Sequence, residues 1–353
     1  MISILSAIVV LGVLILVHEF GHYVVARIIN VKVLKFSLGF GPKIFGIKGK
    51  ETEYLISAVP LGGYVKLYGE ESDEEVLEEP ERAFSRQTPF RRIAIVVAGP
   101  LFNFFFAIII FILFNFFGFQ TLSNIIGDVK DGYPAKVAGL QKNDKIIKIN
   151  QKSVRTWEEI SNIIKTSGSS SLEVIFEREG KTYFTKVSPK MEKVKNVFGE
   201  EVEIPVLGIV SSDKLVKISY PIHESIFRGF KQFYELTKLT LLTVEKLIKR
   251  TVPVSSLGGP IMISQLAGET AKSGIYAFLA FMALLSVNLG VLNLLPIPIL
   301  DGGHIVLFLI EAIIRKPLSD RFKEAYTYVG MVIIILLTIT VFYNDIMRIF
   351  TKK

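Results

Sequence analysis

Three ionisable side chains stand within five residues near the start of the chain. His18, Glu19 and His22 form the pattern H-E-x-x-H. On a helix, residues four apart share one face, so the two imidazoles can reach one metal ion together. Glu19 is turned by about 100° from His18 and can act beside the metal as a general base. The spacing therefore predicts a zinc site that serves hydrolysis.

A catalytic zinc ion needs a third protein ligand and an open position for water. Asp301 follows an apolar run whose last part, Leu294–Leu300, contains two prolines. These prolines must break a helix, and irregular backbone at membrane depth is tolerated where it is buried in protein or lines a cavity. The pair Gly302-Gly303 follows at once. From these residues, Asp301 is the candidate third ligand and His304 is its rival.

Four apolar runs must position these residues. Each is long enough, or nearly so, to cross a bilayer core, which takes about 20 residues of helix. We predict a polytopic α-helical membrane protein whose four transmembrane helices cover residues 1–30, 93–119, 275–310 and 325–349. Each ionisable residue inside a span costs roughly 2.5–3.5 kcal/mol on insertion scales. Three of them within five residues therefore indicate a functional site rather than ordinary packing.

Composition and charge exclude several classes of protein. Half of the residues are apolar and none is cysteine, which excludes a disulfide scaffold and a Cys-ligated zinc protein. The net charge of +8 is spread as alternating signs around the apolar runs, so we expect no nucleic-acid partner.

The Lys and Arg residues of the loops 30–92 and 311–324 predict that both loops are cytoplasmic. The N-terminus and residues 120–274 then lie outside. Because His18 is about 26 Å along its helix, the active site is expected toward the cytoplasmic side.

The segments between the spans have their own patterns. In residues 31–92, apolar and polar residues alternate and glycine is frequent. This pattern predicts a small membrane-associated β-loop of short strands, followed by an acidic connector over 70–81. Residues 120–221 are predicted to be extracytoplasmic. Residues 222–274 predict an amphipathic helix and a linker, with the helix on the outer membrane surface or on the outer domain.

Within the outer segment, residues 122–190 read as strand, short helix, strand, helix, strand, which predicts an inserted α+β domain. This piece resembles a PDZ domain of the kind found in membrane-associated bacterial proteases. Such domains bind extended peptides by strand addition. The alternative is a steric filter that binds no peptide tightly.

Three motifs and their order resemble those of the site-2 proteases, of the bacterial RseP type. They are His18–His22 in the first span, Ala98–Asn103 in the second and Asn293–His304 in the third. The resemblance implies a zinc metalloendopeptidase of the bacterial cytoplasmic (inner) membrane. It also implies that membrane-spanning proteins, such as anti-sigma factors or remnant signal peptides already cut by another protease, are cleaved within the bilayer.

Roles for single residues follow from the same resemblance. It implies that His18, His22 and Asp301 bind Zn²⁺ and that Glu19 is the base. Substrate backbone would be held by Asn288, Asn293 and a re-entrant loop with an open strand edge at Gly62, Gly63 and Tyr64. Each of the two asparagines has the alternative of a helix–helix hydrogen bond. Asn103 is interpreted as a packing contact.

Two other classes of function remain. A membrane-anchored zinc protease that acts on soluble chains would hold H-E-x-x-H outside the bilayer, but here apolar runs adjoin both halves of the site. A non-catalytic PDZ membrane scaffold would be favoured by an altered Glu19 or a missing Asp301, and both residues are present.

Overall fold

The computed structural model describes residues 2–70 and 78–351. Most of the predicted acidic connector therefore lies outside the described residues. The chain divides into two compact units: the first runs up to Leu113 and resumes at His223, and the second is Phe114–Ile222. All residues predicted to carry the chemistry belong to the first unit.

Among the described residues, four helices are long and apolar enough to cross a membrane. Their apolar side chains are distributed all round, as expected for helices that contact both lipid and protein. They are α1 (Ile2–Ile28), α2 (Pro89–Phe117), α7 (Ile275–Asn293) and α9 (Asp320–Thr351). The coarse prediction of a polytopic helical membrane protein is confirmed. The second helix begins four residues earlier than predicted, and the fourth begins five residues earlier.

The predicted third span is interrupted at its prolines. After α7 the chain makes a tight turn through residues 294–300, and α8 (Asp301–Ile314) begins at the candidate ligand. The cytoplasmic loop predicted over 311–324 is too long, because helices α8 and α9 leave only residues 315–319 between them. Glu311 is buried there and accepts a 2.6 Å bond from Arg92 at the start of α2.

The region predicted as an amphipathic helix and linker contains two helices, α5 (Ile222–Ile248) and α6 (Pro260–Ser273). The predicted amphipathic helix corresponds to α5, and the segment predicted as a linker contains the second helix. Helix α6 packs along α1, where Gly268 lies against Ser3. Its first turn is capped from α9 by the buried Asp345 carboxylate, which accepts from the Gly259 amide at 3.0 Å and the Ile261 amide at 2.9 Å.

Helix α5 contacts the spans directly, a packing that its sequence did not reveal. Gly229 lies against Ile112 of α2, and the Phe233 ring centroid is 5.3 Å from that of Phe104. The small residue allows close approach, and the aromatic pair fills the space one turn later.

Strands β1 (Val33–Lys48) and β2 (Glu53–Leu67) replace the predicted set of short strands. Both strands bend, so that residues 35–38 pair with residues 63–66 on one side and with residues 53–56 on the other. Gly39 and Gly41 adopt positive φ at the bend of β1, a conformation that other residues rarely take. The two strands thus form a curved sheet in which, as far as the described residues go, 63–67 have register partners on one side only.

The turn between these strands carries a group of ion pairs. Arg82 binds both carboxylate oxygens of Glu51, at 2.8 and 3.0 Å, and Arg27 at the end of α1 pairs with the same carboxylate. These guanidinium groups lower the pKa of Glu51 to about 2. The paired charges tie the turn to the end of α1.

The second unit is an α+β domain. A capping box at Thr156 and Glu159 starts α4, whose Ile160 and Ile164 enter the core. The helices are α3 (Pro134–Val137) and α4 (Trp157–Ser167), and the strands are β3 (Phe119–Leu122), β4 (Ile126–Val129), β5 (Lys145–Ile149), β6 (Lys152–Ser153), β7 (Leu172–Arg178), β8 (Lys181–Val187), β9 (Lys190–Lys195), β10 (Glu201–Val206), β11 (Ile209–Ser211) and β12 (Leu215–Ile218).

The order predicted for residues 122–190 is present as β4, α3, β5, α4 and β7, but the predicted end of the domain is too early. Strand β11 pairs with β4, and β12 pairs with β3, so residues up to 218 complete the unit. A groove of about 200 Å³ lies between α4 and the strands β10 and β11. Its use for peptide binding stays a prediction.

Candidate metal centre and active site

His18, His22 and Asp301 each offer one ligand atom, and these atoms lie within 4.8 Å of one another. His18 Nε2 is 3.2 Å from His22 Nε2 and 3.2 Å from Asp301 Oδ2. His22 Nε2 is 3.6 Å from Asp301 Oδ1. The two histidines share a face of α1, as their spacing predicts, and the aspartate stands at the first position of α8.

The donor set fits a divalent metal with nitrogen and oxygen ligands. Asp301 Oδ2 is buried and has no hydrogen-bond partner among the described residues, although it lies close to the imidazole of His18. A buried carboxylate oxygen without a partner is costly unless another group compensates it. Two imidazoles and one carboxylate are a ligand set of catalytic zinc sites, in which a fourth position stays open.

Small residues let α2 approach the two imidazoles. Gly21 faces the backbone of Ala98, and a β-carbon added at Gly21 would overlap the Ala98 carbonyl. Likewise, a β-carbon at Gly99 would lie 2.5 Å from His22 Cε1 and 2.8 Å from His18 Cε1. The Gly-Pro pair of the second span therefore serves the site, because any larger side chain would displace the imidazoles.

His22 is held from behind by the backbone of α2. Its Nδ1 donates to the Ile95 carbonyl over 2.8 Å. Pro100, inside the same helix, lacks an amide proton, so the helical bond that it removes is the one to the carbonyl of Val96, next to Ile95. With Nδ1 protonated, Nε2 carries the lone pair toward the other two ligands.

Two asparagines lie beside His18. Asn103 Nδ2 is 3.3 Å from His18 Nδ1, and Asn293 Nδ2 is 3.4 Å from His18 Nε2. The Asn103 backbone oxygen accepts from Ser286 Oγ of α7 at 2.8 Å. Asn103 was interpreted as a packing contact; it does bridge spans, but its side chain also reaches a candidate ligand.

Asp301 is placed by an unusual turn. The Leu300 amide donates to the Ile297 carbonyl over 3.2 Å, with Pro298 and Ile299 between them. Ile299 has φ of +79°, the value that a type II turn requires at its third residue and that normally calls for glycine. A β-branched residue in this conformation is strained. The strain is stored directly beside the candidate ligand.

Glu19 lies next to strand β2. A β-carbon added to Gly63 would be 3.1 Å from Glu19 Cγ and 2.9 Å from Ile15 Cγ2. The sheet edge at residues 63–67 therefore runs past the candidate base. Tyr64 stacks on Phe40 with ring centroids 6.2 Å apart, and Gly62, at φ of +145°, packs against the same phenyl ring.

Two further candidate residues, Asn288 and His304, make contacts outside the group of three ligands. Asn288 Oδ1 accepts from Thr240 Oγ1 of α5 at 2.8 Å, which is the helix–helix hydrogen bond considered as its alternative. His304, the rival ligand, does not belong to the three-residue group and stacks on Phe308.

Sequence reasoning missed the Ile95 carbonyl and Thr240. A backbone carbonyl leaves no signal in the residue types, and Thr240 lies in a helix to which the sequence assigned no role at the site.

Comparison with known proteins identifies the family of the chain. The model of Peptidase family M50 matches residues 6–337, which is nearly the whole chain. The chain therefore belongs to peptidase family M50, the site-2 proteases. The predicted enzyme class, a zinc metalloprotease of this type, is confirmed.

Several curated bacterial proteins are similar over their full length and carry the name zinc metalloprotease. One from Rickettsia conorii is 37% identical over 358 residues, covering 99% of this chain and 100% of the relative. One from Campylobacter jejuni is 36% identical over 349 residues, covering 99% and 94%. Among solved structures, the PDZ domain of an SdrC-like protein from Listeria monocytogenes matches 25% of this chain and 86% of that chain, with 20% identity and a TM-score of 0.21.

Proposed function

We propose that this protein is a zinc-dependent intramembrane endopeptidase that hydrolyses peptide bonds within transmembrane segments of single-span membrane proteins. One observation carries the proposal: the three candidate ligands come together among the apolar helices that are suited to cross a membrane. A protease anchored for soluble substrates would not need its site there. Asp301 Oδ2 is buried and accepts no hydrogen bond from the described residues, which argues against a purely structural polar cluster.

In this proposal His18, His22 and Asp301 hold zinc, and Glu19 is the general base. Zinc, when bound, polarises the scissile carbonyl and makes water a stronger nucleophile near neutral pH. Glu19 takes the proton of the attacking water and passes it to the leaving amine. It follows His18 directly on α1, so the same helix positions the base and two ligands.

The sheet edge beside Glu19 is proposed to hold the substrate. A transmembrane helix bonds every backbone amide internally, so it must unwind before a peptide bond can be cut. Residues 62–64 can receive the released amides and carbonyls by strand addition. Asn293, near the zinc ligands, would bind substrate backbone close to the scissile bond. Asn288 would do so only after its bond to Thr240 opens.

The substrate class and location extend the same proposal. The proposed substrates are single-span membrane proteins such as anti-sigma factors and remnant signal peptides, each first shortened by another protease. The enzyme would lie in the bacterial inner membrane, with the second unit outside and the active site toward the cytoplasm. The charge of the short loops supports this orientation.

The test is cleavage of a single-span model substrate in liposomes by the wild type and by Glu19→Gln, with zinc quantified in both. Glutamine keeps the size of the side chain and removes its basicity. We expect about one zinc per chain in each protein and cleavage reduced by at least about 100-fold in the variant, because general-base catalysis contributes about 10²–10⁴-fold.

A soluble peptide containing the same cleavage sequence is the control for location. If the peptide is cut and the membrane-spanning substrate is spared, the intramembrane proposal is wrong and an anchored protease is favoured. If neither protein binds zinc, the metal site itself is rejected.

A further inference from the structure

The His18 imidazole presents only one of its nitrogens to the other candidate ligands. Its Nε2 faces His22 and Asp301, whereas Nδ1 lies 3.3 Å from Asn103 Nδ2. A neutral imidazole that binds a metal through Nε2 must carry its proton on Nδ1. With the amide in this orientation, two N–H groups would then face each other. That contact would be repulsive.

The side-chain oxygen of Asn103 also lacks a suitable hydrogen-bond partner among the described residues. The residue is 0% exposed, and its Oδ1 is buried without a hydrogen-bond partner in the part of the chain that the structure describes. Leaving a buried acceptor unsatisfied costs about 1–3 kcal/mol. A half-turn of the carboxamide exchanges Oδ1 and Nδ2 within nearly the same volume. That rotation would place the orphaned oxygen against the Nδ1 proton of His18.

We propose that Asn103 is a positioning residue for the metal centre. In the metal-loaded enzyme its Oδ1 accepts the Nδ1 proton of His18, which fixes the tautomer that leaves Nε2 free for the metal. Ile95 does the same for His22 through its backbone carbonyl. Helix α2 thus orients both imidazoles of α1. This inference rests on the proposed function, because it presumes a metal at the three ligands.

Other contacts hold Asn103 where this role requires it. Ser286, itself buried, donates to the Asn103 backbone oxygen at 2.8 Å, which locks α2 against α7 at this level. Gly99, one turn earlier, lets α2 approach both imidazoles. Hydrogen bonds behind a metal-bound histidine commonly change metal affinity by 10–100-fold.

The experiment measures zinc affinity of the purified full-length protein by competition with a chromophoric chelator. Asn103→Leu removes the acceptor at similar volume, and we expect zinc to bind about 10–100-fold more weakly. Asn103→Asp offers only acceptor oxygens and should keep the wild-type affinity within about threefold. Asn115→Leu is the matched control, since Asn115 is also buried in α2, three turns further on. It should bind zinc like the wild type.

The possible failures are distinct. If the wild type binds zinc and Asn103→Leu binds it equally well, this inference is wrong and the proposed function stands. If the wild type binds no zinc, both are wrong. A folded Asn103→Asp that binds as weakly as Asn103→Leu also rejects the acceptor role. Should the aspartate prevent folding, the uncharged acceptor in Asn103→Ser must bind zinc more tightly than Asn103→Leu, or the inference fails.

Discussion

At the scale of single residues, the site depends on two glycines that allow close helix packing and on one isoleucine with an unfavourable backbone conformation. Gly21 and Gly99 bring α1 and α2 together at the imidazoles. Ile299 adopts a positive φ within the turn that leads to Asp301. Local strain of this kind persists only where the surrounding structure enforces it. Here Pro298 packs against Gly330 of α9, which supports the turn from outside.

The strain at Ile299 leads to a residue-scale prediction. Ile299→Gly should stabilise the protein by about 1 kcal/mol, because relief of roughly 1–3 kcal/mol of backbone strain exceeds the entropy cost of glycine. Ile299→Val is the control, since valine is also β-branched and should give no gain. The measurement is the thermal midpoint of the detergent-solubilised protein. A lower midpoint for the glycine variant would show that the turn is not strained.

At the scale of elements, one helix provides the N-terminal cap of another that is distant in sequence. The Asp345 carboxylate of α9 supplies the cap that α6 lacks in its own sequence, since Gly259 precedes the helix without a capping side chain. A cap from another helix couples the formation of α6 to the position of α9. Because α6 packs along α1, this cap also supports the helix that carries the two histidines.

The element-scale prediction concerns this cap. Asp345→Ala should lower the free energy of unfolding by about 1–3 kcal/mol, because it leaves buried amides at the start of α6 without an acceptor. Asp320→Ala, which removes an exposed acid from the same helix, should change it by less than about 0.5 kcal/mol. Denaturant unfolding of both variants tests the difference. Equal effects would show that the capping bonds contribute little.

At the scale of the whole molecule, the two compact units differ in what they contain. Every candidate ligand and the candidate base lie in the first unit, whereas the second has its own core around Ile126, Ile160 and Leu172. A domain with an independent core can be weakened without loss of a site elsewhere. The separation predicts that the second unit can be destabilised while the metal site of the first is retained.

A truncation in the second core tests this separation. Ile160→Ala should destabilise the second unit by about 2–5 kcal/mol, because it leaves a cavity at a fully buried position. Zinc content should stay at the wild-type level. Limited proteolysis of residues 114–222 and zinc analysis of the same sample are the measurements. Val137→Ala, at an exposed position of the same unit, should change neither. Loss of zinc by the core variant would mean that the units are energetically coupled.

The sequence alone determined the four long apolar helices and the pair of candidate histidine ligands on the first of them. Apolar length fixes which segments can span a membrane, and the spacing of His18 and His22 follows from the helical repeat. The prolines before Asp301 ended α7 where predicted. These features depend on residues close together in the chain, for which local geometry is sufficient.

Only the tertiary structure decided what surrounds the ligands. The Ile95 carbonyl, the side chain of Asn103 and the edge of β2 reach the site from other elements, and no local pattern states which atoms will meet. The bond between Thr240 and Asn288 and the cap from Asp345 join residues that are 48 and 86 positions apart. Such contacts follow from packing of the whole chain, because each requires two elements to be placed before either side chain has a partner.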